Sequence, residues 1–415
     1  MPRRKVDLLI LGSTEMVTMN GQPSEDDLGV VEGGGVAVDA GNIVMAASSE
    51  LLERRFVGRR SVNVDEKVLL PGFIDPHTHL VFEGSREQEF QQRIQGVPYM
   101  EILKGHGGIL ETVNKTREAT HDELLSTAVS RLDTALEAGT TTIEVKSGYG
   151  LRPYDEMKIL QVIRTLRRQH LCRVVPTFMG AHAVPPETDA ESYTRLIIEE
   201  MLPEVRRTGL AQFCDVFCEQ GVFDEKQSMS ILKAAKQAGL ATKIHADEFT
   251  DSNGARVANK LSSTSGDHLV HTPARELERM AATGVTPVVL PSSSQSLLAK
   301  EYAPARELLA LGLPVALGTD FSPANWTLSQ VAVAWAAARE LRMKADEILR
   351  GITINAAMAL GMENQVGSLA PKKIADLVTL KVPNHKWVSY AHSDGLIDKV
   401  FIGGRLVVDD GKKLV

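Results

Sequence analysis

Pro71-Gly72-Phe73-Ile74-Asp75-Pro76-His77-Thr78-His79 is the stretch that decides the fold. Phe73 and Ile74 read as the end of a buried strand, and the histidine pair His77 and His79 follows at once. Side chains at i and i+2 of an extended segment point the same way, so both imidazoles can face one ion. Imidazole is a good ligand for zinc or iron. Bare His-x-His spacing is weak evidence, and two strand-end histidines without a metal are the bland alternative.

The rest of the chain repeats the pattern. Lys243-Ile244-His245-Ala246-Asp247-Glu248 ends the fifth predicted strand, Ser265-Gly266-Asp267-His268 lies in the sixth, and Gly318-Thr319-Asp320 ends the eighth. Short β-rich runs end at Ile74, Val145, Phe178, Phe217, His245, Leu269, Leu290 and Leu317, with amphipathic stretches between most of them. Thr120 and Glu123 have the spacing of a capping box. Leu124, Leu125, Ala128, Leu132 and Leu136 then keep helical period until Gly139. Pro273 marks a second helix start. The expected fold class is α/β, a (β/α)8 TIM-like barrel. A doubly wound open sheet is the alternative, weakened because no G-x-G-x-x-G turn follows the first strand. The histidines and Asp320 fall at or near the carboxyl ends of predicted strands, where barrel enzymes place their chemistry.

Both ends read as β. Val6–Leu11, Gly35–Asp39 and Asn42–Ala46 are predicted strands at the start, the last two joined by Ala40-Gly41. Asp376–Val382, Lys399–Ile402 and Arg405–Val408 are predicted at the end, the last two flanking Gly403-Gly404. Neither zone makes a comfortable core alone, so the two are expected to combine into one small β-sandwich domain. The expected division is 1–64 and 361–415 for that domain and 65–360 for the barrel.

Composition narrows the class. The chain has 415 residues, with 53 acidic against 46 basic side chains and a net charge of −7. That balance argues against nucleic acid as a partner. Cys172, Cys214 and Cys218 are too few for a disulfide framework and fit a reducing, cytoplasmic setting. Cys214 and Cys218 read as buried small hydrophobes. No apolar run reaches the roughly 18–20 residues that span a bilayer, so no membrane partner is expected.

With His77, His79, His245, His268 and Asp320 in place, the pattern resembles the amidohydrolase superfamily. Phe82-Glu83-Gly84-Ser85-Arg86-Glu87, residues 144–150 (EVKSGYG), residues 177–186 (TFMGAHAVPP) and His245-Ala246-Asp247-Glu248 narrow the resemblance to the imidazolonepropionase family. It covers nearly the whole chain. It implies hydrolysis of the ring C–N amide bond of 4-imidazolone-5-propanoate to N-formimidoyl-L-glutamate, in histidine degradation. It also implies a small-molecule substrate and a homodimer.

The resemblance implies one metal ion per subunit, zinc or iron, held by His77, His79, His245 and Asp320. Such a donor set leaves room for an activated water. Asp320, Glu248 and His268 are the implied catalytic groups, Glu248 moving a proton and His268 polarising the carbonyl or helping to orient the water. Arg86, Tyr149, His182, Glu248 and Ser322 are implied to bind substrate, with Arg86 taking the propionate. Read without the family, Arg86 is an exposed ion pair with Glu83, Glu87 or Glu89, and His182 a structural histidine. Lys146 reads as a paired charge near the barrel mouth rather than a carboxylated bridge between two metals. Gly105-His106-Gly107-Gly108 is glycine-rich enough to fold over a substrate.

Two segments depart from the family pattern. Phe321-Ser322-Pro323-Ala324-Asn325-Trp326 carries Ser322 where the pattern has a substrate-contacting asparagine, and Asn325 is an open candidate to replace it. Pro291-Ser292-Ser293-Ser294-Gln295 lacks the usual aromatics. These changes leave a second reading, an amidohydrolase acting on another cyclic amide or amidine, such as a heterocycle deaminase. A non-catalytic relative is disfavoured because all four ligands are present.

Overall fold

The computed structural model describes residues 3–21, 28–97 and 108–414. Its centre is a parallel barrel running in order from Phe73–Asp75 through Thr140–Lys146, Arg173–Ala181, Phe213–Cys218, His245–Ala246, Ser265–His268 and Thr286–Val289 to Ala316–Leu317. All these neighbours pair in parallel. A parallel bridge between Thr78 and Phe321 joins the last strand to the first and closes the ring. The expected (β/α)8 architecture is therefore present. The third strand runs beyond Phe178 to Ala181 because a bulge between those residues lets it continue. The fifth is in two pieces, since Ala241–Thr242 also pairs with Phe213–Cys218.

Helices cover the outside. Thr120 accepts the Glu123 amide while the Glu123 side chain accepts the Thr120 amide, so the capping box forms and starts His121–Glu137. Leu124, Ala128, Leu132 and Leu136 are the buried stripe of that helix. Pro273 sits immediately before the helix Ala274–Thr283.

The two ends of the chain build two sheets. Arg4–Leu11 pairs with Gly34–Asp39 and, across the short helix Ser49–Arg55, in parallel with Phe56–Asn63. The second sheet is shared between the ends. Glu15–Val17 and Val68–Pro71 from the start lie beside Leu377–Leu380, Ile397–Ile402 and Arg405–Asp409 from the end. Leu8, Ile10, Val36 and Val38 of one sheet meet Met16, Leu69, Leu377 and Phe401 of the other in a single apolar cluster. That shared core makes the pair a sandwich.

The step from Pro71 to Phe73 positions the site. Val68–Pro71 runs antiparallel to Leu377–Leu380, and Phe73–Asp75, just beyond Gly72, enters the barrel beside Thr140–Lys146. A Cβ on Gly72 would lie 2.4 Å from the Thr141 hydroxyl oxygen, so the crossing takes glycine.

Candidate active site

His77 and His79 leave the first barrel strand together, as the i, i+2 pattern requires, and His245 reaches them from the fifth. The ligand nitrogens of the three lie within 4.8 Å of one another, all buried. Asp320 joins from the end of the eighth strand, its Oδ1 3.5 Å from His77 Nε2 and 3.6 Å from His79 Nε2. His245 Nε2 is 3.3 Å from His79 Nε2.

Carboxylates behind the ring set the tautomers. His77 Nδ1 lies 2.6 Å from Asp267 Oδ2, and His245 Nδ1 lies 3.1 Å from Asp215. A carboxylate accepts, so each Nδ1 carries the proton and each Nε2 turns a lone pair into the cluster. His77 Nε2 is buried with no hydrogen-bond partner among the described residues. Burial and the neighbouring positive groups hold His77 and His79 well below the usual histidine range, so both stay neutral. Burial also lifts the Asp320 carboxyl to about 6. Three converging imidazole nitrogens and a buried carboxylate are the donor set of a transition-metal cation, and a cation is what would hold that carboxylate ionised.

Asp320 is braced where the sequence reading saw only missing aromatics. Ser293 Oγ donates to its Oδ2 at 2.6 Å. The Asp320 backbone is in the left-handed region at φ 53°, and His268 at φ 73°. For non-glycine residues this is backbone strain of the kind that collects at working sites.

A cavity of about 470 Å³ opens onto this cluster. His79, His245 and Asp320 lie in its wall together with Arg86, Tyr149, His182, Glu248, His268 and Ser322. The residues that the resemblance assigns to substrate or proton handling therefore line one space. Ile109, Val184, Phe217 and Phe249 supply its apolar surface.

The individual placements sharpen the sequence reading. Arg86 is buried rather than exposed, and its guanidinium meets Glu89 at 3.4 Å while lining the cavity. His182 anchors Nδ1 on the Gly148 carbonyl at 3.1 Å and stacks on His79 with ring centres 4.7 Å apart. Burial pushes its pKa down to about 3. Tyr149 lies tilted against both rings, its ring centre 5.1 Å from that of His182 and 5.9 Å from that of His79. Glu248 faces His268, Oε1 to Nδ1 3.5 Å, and burial together with the Asp320 charge holds its carboxyl well above the usual range. Asn325 does not stand in for the missing asparagine. Its Nδ2 donates to the Thr319 carbonyl at 2.7 Å and its Oδ1 accepts from Ser296 at 2.8 Å, so it ties the loop from inside. Gly105, His106 and Gly107 of the glycine-rich loop lie outside the described residues.

Lys146 is a paired charge, but deep in the barrel rather than at its mouth. Its Nζ lies 2.7 Å from both Glu144 and Asp215 and 3.7 Å from Asp267. Lys243 lies 3.2 Å from Glu144 and 3.7 Å from Asp267. All five side chains are fully buried. Glu219 is a further organiser, accepting the Phe249 amide at 2.8 Å and the hydroxyls of Thr250 and Ser252, which shapes the loop carrying Glu248.

Comparison with known proteins fits this geometry. Residues 68–407 match the amidohydrolase family. An imidazolonepropionase from Symbiobacterium thermophilum is 44% identical over 99% of both chains. The one from Geobacillus kaustophilus is 42% identical over 98% of this chain and 99% of its own. Among solved structures, a zinc-bound adenosine deaminase from Xanthomonas campestris superposes with a TM-score of 0.79 at 20% identity, covering 100% of this chain and 95% of its own. Guanine deaminase from E. coli gives 0.71 at 17% identity, over 97% and 99% of the two chains. At those identities the deaminases speak for the fold alone. Sequence, fold and donor cluster together place the chain in the amidohydrolase family and, within it, among the imidazolonepropionases.

Proposed function

We propose that the enzyme hydrolyses the ring amide of 4-imidazolone-5-propanoate to N-formimidoyl-L-glutamate. The observation that carries this reading is that a buried guanidinium, Arg86, lines the same cavity as the three-histidine, one-aspartate cluster. The substrate has a carboxylate tail and a hydrolysable ring carbonyl, and the cavity offers a group for each.

His77, His79, His245 and Asp320 would hold one divalent ion, zinc or iron. When bound, such an ion acts as a Lewis acid that makes hydroxide accessible near neutral pH and polarises a carbonyl. The chain's own groups do the rest. Arg86 receives the propionate through charge-assisted hydrogen bonds, and Tyr149, His182 and Ser322 fix the ring in the cavity. Glu248 takes the proton released as water adds to the carbonyl carbon and returns it to the ring nitrogen as the C–N bond breaks. The neutral His268 donates toward the oxygen that gathers negative charge. One water is consumed, leaving a carboxylate and a formimidoyl group. The same reading makes the cytosol the working compartment and a homodimer the working form. No helix among the described residues is long and apolar enough to cross a membrane.

The test is an assay for imidazolonepropionate hydrolysis combined with Arg86→Ala. Loss of a charged hydrogen-bonding partner costs about 1.5–3 kcal/mol. KM is therefore expected to rise roughly ten- to a hundredfold, with metal content unchanged. A metal-loaded enzyme that leaves this substrate intact, or an Arg86→Ala variant with unaltered KM, overturns the reading in favour of a neutral heterocycle.

A further inference from the structure

The loop after the second barrel strand, residues 147–151, is gathered around one buried carboxylate. Glu156 stands in the first turn of the helix Pro153–Gln169 and is fully buried. Its Oε2 accepts the Gly148 amide at 3.0 Å. Its Oε1 accepts the amides of Gly150 at 2.7 Å and Leu151 at 2.9 Å. The Ser147 hydroxyl also bonds to it, while its Oγ accepts the Met179 amide at 3.0 Å.

This is more than a helix start needs. A first-turn carboxylate satisfies its own helix's amides, whereas Glu156 is spent on a loop that precedes its helix. The loop is costly to hold. Gly148 has φ +117° and Leu151 has φ 53°. A Cβ on Gly150 would lie 2.5 Å from the Glu156 nitrogen, and one on Gly148 would lie 2.9 Å from His182 Nδ1.

What the loop presents is functional. Tyr149, its central residue, lines the cavity. The Gly148 carbonyl meets His182 Nδ1 at 3.1 Å. A carbonyl only accepts, so this contact selects the Nδ1–H tautomer and leaves a lone pair on Nε2. His182 in turn stacks on His79.

We propose that Glu156 is a positioning residue for the hydrolysis: by collecting the loop amides it fixes the Gly148 carbonyl that sets the His182 tautomer and holds Tyr149 in the same wall. It acts through these two residues and touches neither substrate nor ion. The proposal rests on the reading that Tyr149 and His182 contact the substrate.

The test compares Glu156→Gln with the unsubstituted, metal-loaded enzyme. The glutamine has one acceptor oxygen and turns an NH2 toward backbone donors. Metal content is expected to stay the same. A small misplacement of binding groups costs up to about 10²-fold, so kcat/KM for imidazolonepropionate is expected to fall roughly tenfold to a hundredfold. In a His182→Ala background the same change is expected to cost less than in the unsubstituted enzyme, because coupled residues do not add, the remaining loss passing through Tyr149. Nitrogen-15 spectra of the histidine rings are expected to show Nδ1–H on His182 in the unsubstituted enzyme and a mixed population in Glu156→Gln. Equal losses in both backgrounds, or an unchanged His182 tautomer, overturn the proposal. If the unsubstituted enzyme does not hydrolyse the substrate, the functional reading fails, while the ring spectra still decide the role of Glu156. Should Glu156→Gln not fold, Ser147→Ala removes one donor to the same carboxylate. It is expected to shift the tautomer in the same direction, and an unshifted spectrum there counts against the proposal.

Discussion

His77 and Asp267, 190 residues apart in the chain, meet through a 2.6 Å contact between Nδ1 and Oδ2 inside the barrel. The pair orients the imidazole of a candidate metal ligand. Asp267 is in turn flanked by the ammonium groups of Lys146 and Lys243, each 3.7 Å away, which oppose the effect of its burial. A charged layer therefore lies directly beneath the ligands.

Replacing Asp267 by asparagine keeps the shape and removes the acceptor charge. Loss of such an outer partner typically costs about 10–100-fold in metal affinity. Chelator competition on Asp267→Asn is expected to show that loss, with circular dichroism unchanged. Undiminished affinity would remove the orienting role.

Glu248→Gln takes away the group assigned to move the proton. General acid–base contributions are typically about 10²–10⁴-fold. The expected result is a fall in kcat of that order with metal content intact. A variant that retains full kcat would reassign the proton transfer.

The cysteines give a check on burial. Cys172, Cys214 and Cys218 are unpaired and buried. Burial pushes the Cys218 thiol up to about 12 and raises the other two as well. Since the thiolate is the reactive form, a thiol reagent at pH 8 is expected to label none in the folded enzyme and all three in denaturant. Rapid labelling of the folded enzyme would contradict their placement.

Asp376 links barrel to sandwich. It meets Arg173 at 3.3 Å and accepts the Gly403 amide at 2.8 Å. Burial raises its carboxyl above the ordinary aspartate value, against the pull of Arg173. In the window between those two values the folded state binds more protons than the unfolded one, so its contribution to stability falls as pH rises through that window. Denaturation midpoints followed across that window are expected to be flatter in Asp376→Asn. An identical slope in both proteins would show that Asp376 is not the group responsible.

The barrel was legible because short β-rich runs alternate with amphipathic stretches and the chemistry-bearing residues sit at or near the ends of the runs. His77, His79, His245 and Asp320 need only period-two geometry and a shared edge to be brought together. The charged interior was less legible. Glu144 and Lys146 stand at i and i+2 of one strand, a visible sign of two charges on one buried face, but their partners Asp215, Lys243 and Asp267 come from three other strands. Asp267 and His268 are adjacent, and simple alternation would send them to opposite faces. The left-handed turn at His268 is what lets both reach the site. The roles of Ser293 and Asn325 were illegible for a similar reason. Their value lies in which way a loop side chain turns, inward to Asp320 and Thr319, and periodicity says nothing about loops.

The crossing at Gly72 has a consequence for assembly during synthesis. The strand Val68–Pro71, which leads through Gly72 into the one that delivers His77 and His79, is held on one side by Leu377–Leu380. On a ribosome that anchor emerges only after every barrel strand has been made. The sheet beside the entry to the barrel is thus completed late, when the tail of the chain folds back.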